Sequence, residues 1–212
     1  MKNHKSDSYK QGELFQYKEP EIVIGTDEAG RGPLAGPVCA AAVVLPKDFP
    51  FEILDDSKKL SPKKRENAEQ IIKERAIAYS VCWATPKEID SLNILNASLL
   101  AMKRACLNVY YQLYLKELNT ELILIDGNRK FETDIPCKAV VKGDATVHEI
   151  MAASILAKNA RDRFMLCADK RWPMYGFAKH KGYPTKTHVL AIKEFGFCPI
   201  HRKSFRIPSY QR

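Results

Sequence analysis

No two cysteines of this chain are spaced as C-x-x-C, although six are present: Cys39, Cys82, Cys106, Cys137, Cys167 and Cys198. The polar, charged start from Met1 to Lys18 also lacks the apolar core of a secretory signal, so the six read as reduced thiols and not as a disulfide or zinc framework. Long hydrophobic runs are missing too. The longest, Leu34 to Leu45, is interrupted by Gly36 and Pro37 and is too short to span a bilayer, so the expected location is cytoplasmic. There is no G-x-x-x-x-G-K-[ST] phosphate loop and no G-x-S-x-G elbow, which argues against a nucleotide-driven motor and an elbow-type serine hydrolase. His148, His180, His188 and His201 do not form the i, i+4 pair with glutamate that a zinc hydrolase uses, and they read as surface or helix-end residues.

The last fifth of the chain is short of acids. From Lys170 to Arg212 it holds ten Lys/Arg and one acid, Glu194, so the net charge of +9 belongs to this segment and the body before it is balanced. Eight of the 20 aromatics lie there as well: Trp172, Tyr175, Phe177, Tyr183, Phe195, Phe197, Phe205 and Tyr210. Basic charge interleaved with aromatics suits a polyphosphate ligand with stackable bases; a solvated face with a few core aromatics is the alternative.

At 212 residues the chain is long enough for one large domain. Ile22 to Thr26 and Pro37 to Leu45 read as strands whose short connection favours an antiparallel hairpin, with Gly30-Arg31-Gly32-Pro33 as the loop. Ser61-Pro62 announces a helix to about Arg75, and its lysine-dense start, including Lys58 and Lys59, suits either phosphate contacts or plain solvation. Ile77 to Trp83 is a third strand. Apolar residues at helical spacing then fill Lys87 to Asn119, with a break at Asn93 to Asn96. Glu121 to Asp126 is a strand reached by a crossover long enough for parallel pairing. Lys138 to Asp144 is another, ending in an acid and followed by Thr146-x-x-Glu149, which has the form of a capping box opening a helix to about Lys170. A further helix is expected near Thr185 to Phe195.

Three of these strands deliver carboxylates to their ends: Asp27 with Glu28, then Asp126, then Asp144. Taken singly, each acid suits a turn or strand cap. Four together at one sheet edge need a compensating cation, and an oxygen-only donor set matches Mg²⁺ or Mn²⁺. Beside a basic, aromatic segment the reaction such a site suggests is phosphodiester hydrolysis. A basic nucleic-acid-binding protein without catalysis is the rival reading.

The run Gly25-Thr26-Asp27-Glu28-Ala29-Gly30-Arg31-Gly32-Pro33-Leu34-Ala35-Gly36-Pro37 closely resembles the ribonuclease HII family. The likeness continues through Asp56-Ser57-Lys58-Lys59-Leu60, Leu124 to Asn128, Val141 to Asp144, Ala152 to Lys158, Arg161-Asp162, His180 to Tyr183 and His201 to Phe205. It implies an α/β fold: a ribonuclease H-like mixed sheet flanked by helices, with a helical C-terminal portion. The expected division is a flexible segment 1–20, a catalytic domain 21–170, and a basic, aromatic portion 171–212 packed on it. The implied activity is metal-dependent cutting of the RNA strand of RNA–DNA hybrids and incision at single ribonucleotides in duplex DNA, leaving 5′-phosphate and 3′-hydroxyl ends, with Mn²⁺ or Mg²⁺ as cofactor and a monomeric enzyme. Carried over residue by residue, the catalytic and metal-holding acids are Asp27, Glu28, Asp126 and Asp144. Gly30, Arg31 and Gly32 fall on the loop that senses the ribose 2′-hydroxyl, Tyr183 on the tyrosine stacking at the junction, and Lys58 and Lys59 are taken as further substrate contacts. Ala145 stands where family members often have serine, which affects only a supporting hydrogen bond. The sister type, ribonuclease HIII, usually carries an extra N-terminal domain, and the few residues before the first strand favour HII.

Overall fold

The computed structural model of the chain describes residues 22–55, 57 and 59–207. The expected flexible segment 1–20 lies outside them. Five strands, β1 (Val23–Ala29), β2 (Val38–Val44), β3 (Ala78–Ala84), β4 (Leu122–Asp126) and β5 (Cys137–Val140), form one mixed sheet in the order β3-β2-β1-β4-β5. The hairpin β1/β2 and the pair β2/β3 are antiparallel, whereas β4 runs parallel to both β1 and β5. The hairpin follows from its short connection, and the helices Pro86–Leu92 and Ile94–Tyr114 lie in the long path that brings β4 parallel to β1.

Strand β2 is buried along its whole length, and its alternation sorts two cores. Ala40, Ala42 and Val44 face α3 (Ile94–Tyr114), together with Ile24, Ala101, Cys106 and Val109. Cys39, Ala41 and Val43 face α4 (His148–Arg171), together with Ala152, Ala153, Ile155 and Leu156. Small residues bring α4 close to the sheet. A Cβ on Gly25 would lie 2.4 Å from the Glu149 backbone, so only glycine fits beneath this helix. Helix α1 (Pro62–Arg75) is capped by Ser61, which accepts from the Lys64 amide and is worth about 1 kcal/mol relative to alanine. Arg163 grips Glu69 with both Nη atoms at 2.7 Å, and Asn159 donates to Glu69 and to the Arg65 carbonyl, which locks α1 beside α4.

A third core joins the end of α4 to the rest of the chain. Leu34, Ala35, Met165 and Ala168 pack against Tyr175, against Phe177 of α5 (Phe177–His180), and against Val189 and Ile192 of α6 (Lys186–Phe195). Tyr175 and Phe177 are therefore core residues and not stacking platforms, while Tyr183, Phe195 and Phe197 are exposed. The reading of the histidines as surface or helix-end residues fails for His201, which is 3% exposed, while His188 does stand in the first turn of α6 but is fully buried.

Other sequence-based expectations need correcting. The first strand does not stop at Thr26, because pairing of Asp27 with Ala41 and of Glu28 with Ala40 carries it through both acids. Thr85-Pro86 ends β3 but also opens α2 (Pro86–Leu92) with a full capping box to Glu88. Asn93, at φ 66°, then caps α3, which starts at Ile94 and not near Asn96. The Thr146/Glu149 capping box does not form. Helix α4 begins at His148 after an uncapped Val147, and the Thr146 hydroxyl donates back to the Lys142 carbonyl. Among the described residues no helix is long and apolar enough to cross a membrane.

Candidate active site

The four acids arrive at the carboxyl ends of β1 and β4 and in the 3-10 turn Gly143–Ala145. Asp144 is thus presented by a turn after β5 and not by the strand itself. The turn is held against β4: the Asp144 amide donates to Asp126 Oδ1 at 3.2 Å, where a Cβ on Gly143 would also lie 3.2 Å from the same oxygen. Asp27 and Glu28 are neighbours in a strand, so their side chains leave opposite faces of the sheet. Asp27 points to the α4 side beside Ser154, and Glu28 to the α3 side beside Ser98 and Met102. Asp126 borders both places.

All four nevertheless line one cleft of about 280 Å³, together with Gly30, Arg31, Gly32 and Tyr183. The expected acids, loop and tyrosine are thus brought together. One expected substrate contact, Lys59, is not among its described lining. Lys59 is exposed and pairs with Asp55 at 3.7 Å, and Lys58 lies outside the described residues.

Asp27 is only 5% exposed, and its carboxyl is held well above the usual carboxylate range. Burial is the main cause, followed by the charges of Glu28 and Asp126. The Ser154 hydroxyl and the Glu28 amide, which donates to Asp27 Oδ1 at 2.6 Å, pull the other way. Glu28 is raised as well, by burial first, with Arg31 opposing at 3.4 Å and Asp126 reinforcing. Four carboxylates share this cleft, and hard oxygen donors of this kind suit Mg²⁺ or Mn²⁺. Among the described residues no three His, Cys, Asp or Glu side chains form a ready-made cage. The donor set suits an ion that takes few protein ligands and completes its shell with water and substrate phosphate.

Sequence reasoning assigned no role to Ser57, Ser154, Lys158 and Arg161, which line the same cleft. Ser57 and Ser154 share a hydrogen bond at 2.9 Å behind Asp27, and Lys158 is steadied by Asp162 at 2.9 Å. A signal was available for three of them. Ser154, Lys158 and Arg161 stand at i, i+4 and i+7, a polar stripe in an alanine-rich helix. Arg202 gave none: inside the run His201-Arg202-Lys203 it reads as surface charge, yet it is 1% exposed. It donates to the carbonyls of Gly36 at 2.8 Å, Arg31 at 2.8 Å and Gly30 at 2.6 Å.

A family model described as Ribonuclease HII matches residues 24–207. A ribonuclease HII of Laribacter hongkongensis (strain HLHK9) is 56% identical over 185 residues, covering 86% of this chain and 90% of that protein. The crystal structure of ribonuclease H2 from Pyrococcus horikoshii OT3 superposes with a TM-score of 0.66 at 26% identity, covering 88% of this chain and 94% of that one. The structure of Bst-RNase HIII in complex with Mn²⁺ shares the fold at 18% identity and a TM-score of 0.61, over 82% of this chain and 63% of that one. The ribonuclease H-like fold expected from the sequence is the one observed. On the match from residue 24 to 207 and on this identity over nearly the whole of a relative, the chain belongs to the ribonuclease HII family, endoribonucleases that act on RNA–DNA hybrids.

Proposed function

We propose that this chain is a divalent-metal-dependent endonuclease that cuts the RNA strand of RNA–DNA hybrids and incises at single ribonucleotides within duplex DNA, leaving 5′-phosphate and 3′-hydroxyl ends. The observation that carries this reading is the shared cleft, in which Asp27, Glu28, Asp126 and Asp144 face the same space as Gly30-Arg31-Gly32 and Tyr183. A site that cuts at a ribonucleotide needs its sugar-reading groups within one nucleotide of the reacting phosphate, and this lining supplies both.

The four acids would hold Mg²⁺ or Mn²⁺, whose chemistry when bound is to lower the pKa of a water and to offset charge on the leaving oxygen. The chain's own residues do the rest. Backbone N–H groups of the Gly30–Gly32 loop, whose Arg31 and Gly32 are exposed, meet the 2′-hydroxyl, the feature that separates RNA from DNA at one position. Tyr183, 44% exposed at the cleft rim, offers its ring to the sugar of the adjoining nucleotide. Lys158 and the exposed Arg31 place positive charge beside the phosphate. Water adds to phosphorus in line with the 3′-oxygen, the P–O3′ bond breaks, and the departing oxygen takes a proton. These steps yield the proposed ends.

The test is incubation with a duplex carrying one ribonucleotide and with an all-DNA duplex of the same sequence, with and without Mg²⁺ or Mn²⁺. Incision next to the ribonucleotide only when metal is present is the expected result. No incision, or equal cutting of both duplexes, overturns the reading. Asp126→Asn should lower the cleavage rate by roughly a thousandfold or more while leaving duplex binding nearly intact.

A further inference from the structure

Two guanidinium groups, Arg161 from α4 and Arg202 from beyond α6, lie behind the Gly30–Pro37 loop and are both about 1% exposed. Arg161 donates to the carbonyls of Ala35 and Pro37, each at 3.2 Å. The fork of Arg202 spans the Gly30 and Arg31 carbonyls with its two Nη atoms while Nε holds Gly36. Burial, with Arg161 nearby, pulls the Arg202 guanidinium down to about 9, so it remains a cation at neutral pH. Gly30, at φ 99°, is locked over this layer, since a Cβ there would lie 1.9 Å from Arg161 Nε.

The two carbonyls that Arg202 spans belong to the peptide groups whose N–H ends are those of Arg31 and Gly32. In a trans peptide the C=O and N–H point in opposite directions, and no cis bond occurs here among the described residues. Pulling both oxygens inward therefore turns both N–H groups outward. Their edge is the one beside Tyr183, whose Cε1 would stand 3.3 Å from a Cβ on Gly32. Among the described residues neither amide donates to another backbone carbonyl. A cation on the carbonyl end also polarises each peptide and strengthens its N–H as a donor.

We propose that Arg202 is a positioning residue for ribose selection: its guanidinium fork fixes two loop peptide planes, so that the Arg31 and Gly32 amides face the cleft as a preset pair of donors for the 2′-oxygen. This inference rests on the loop being the ribose reader proposed above. The substituent that tests it is lysine. Arg202→Lys keeps the charge and the stem, but an ammonium cannot span two carbonyls in one plane while holding a third.

The measurements are kcat and KM on the single-ribonucleotide duplex, the Kd of the all-DNA duplex, and the Tm of the protein. Misaimed donors should lower kcat on the ribonucleotide duplex by about 10- to 100-fold and shrink the ribonucleotide-over-DNA preference, with all-DNA affinity changed by less than about twofold. Wild-type kcat and preference in the variant overturn the proposal. So does a proportional loss of kcat and of affinity for both duplexes, which would mean that Arg202 only supports the fold. If Arg202→Lys does not fold, Arg202→Ala is assayed with methylguanidinium or methylammonium added. Recovery of the preference with methylguanidinium alone supports the proposal, and equal or absent recovery overturns it. A wild-type protein that fails to incise the ribonucleotide duplex refutes the proposed function instead, so the two failures are distinguishable.

Discussion

Asp27 shows what the site costs the fold. Its carboxylate is buried beside Glu28 and Asp126, and Arg31, which pairs with Glu28 at 3.4 Å, is itself exposed. A buried charge facing like charges destabilises the folded state, and removing it while keeping the shape relieves that penalty. Asp27→Asn should therefore raise Tm in metal-free buffer at pH 8 by a few degrees, on the order of 1 kcal/mol, while abolishing cleavage. The sign follows from linkage: a carboxyl raised in the folded state loses stability as pH climbs from its unfolded value through its folded one, so the advantage of the variant narrows on acidification. Added Mg²⁺ or Mn²⁺ should stabilise the wild type more than the variant. A variant less stable than the metal-free wild type would contradict this account. Both acids were visible in the sequence. Their opposed directions were not, because the apolar run ends at Ile24 and only pairing with Ala40 and Ala41 extends the strand past them.

At the scale of elements, α5, α6 and the segment after them are tied by histidines whose protons the backbone assigns. His188 Nδ1 donates to the Tyr183 carbonyl at 2.9 Å, and His201 Nδ1 accepts from the Cys198 amide at 2.9 Å. Their Nε2 atoms meet at 3.1 Å, so His201 is the donor there and His188 the acceptor. Both rings are neutral, with burial as the main cause pulling each down to about 4. A histidine lowered in the folded state contributes stability that is complete above about pH 6.5 and is lost as pH falls towards about 4. In ¹⁵N-histidine spectra at pH 5.5, His188 should appear as the Nδ1–H tautomer and His201 as the Nε2–H tautomer; an imidazolium signal from either would refute the arrangement. Helix α6 was legible, because it depends on local spacing. The histidine pair was not, since nothing within a few residues of either reveals that the two rings meet in a core.

For the whole molecule, connection lengths made the β1/β2 hairpin and a parallel crossover to β4 readable before any packing is known, whereas the order β3-β2-β1-β4-β5 was not. The distribution of charge was readable only in part. The excess of +9 lies beyond residue 169, yet Arg202 spends its charge on carbonyls and offers none to phosphate. The remaining lysines and arginines should bind duplex backbone without regard to sugar, so affinity for an all-DNA duplex should fall by roughly two orders of magnitude between 50 and 200 mM salt. Fluorescence anisotropy titrations should give parallel salt slopes for the ribonucleotide duplex, and a flat response would remove the basic segment from substrate binding. The contact between Arg202 and the loop also has an order in time. A chain emerging from the ribosome carries all four acids by residue 144, but the fork that holds the carbonyls of residues 30 and 31 arrives almost sixty residues later. The acids proposed to break the bond are thus synthesised before the residue proposed to orient the sugar reader, so the loop can take its final form only after all four acids have emerged.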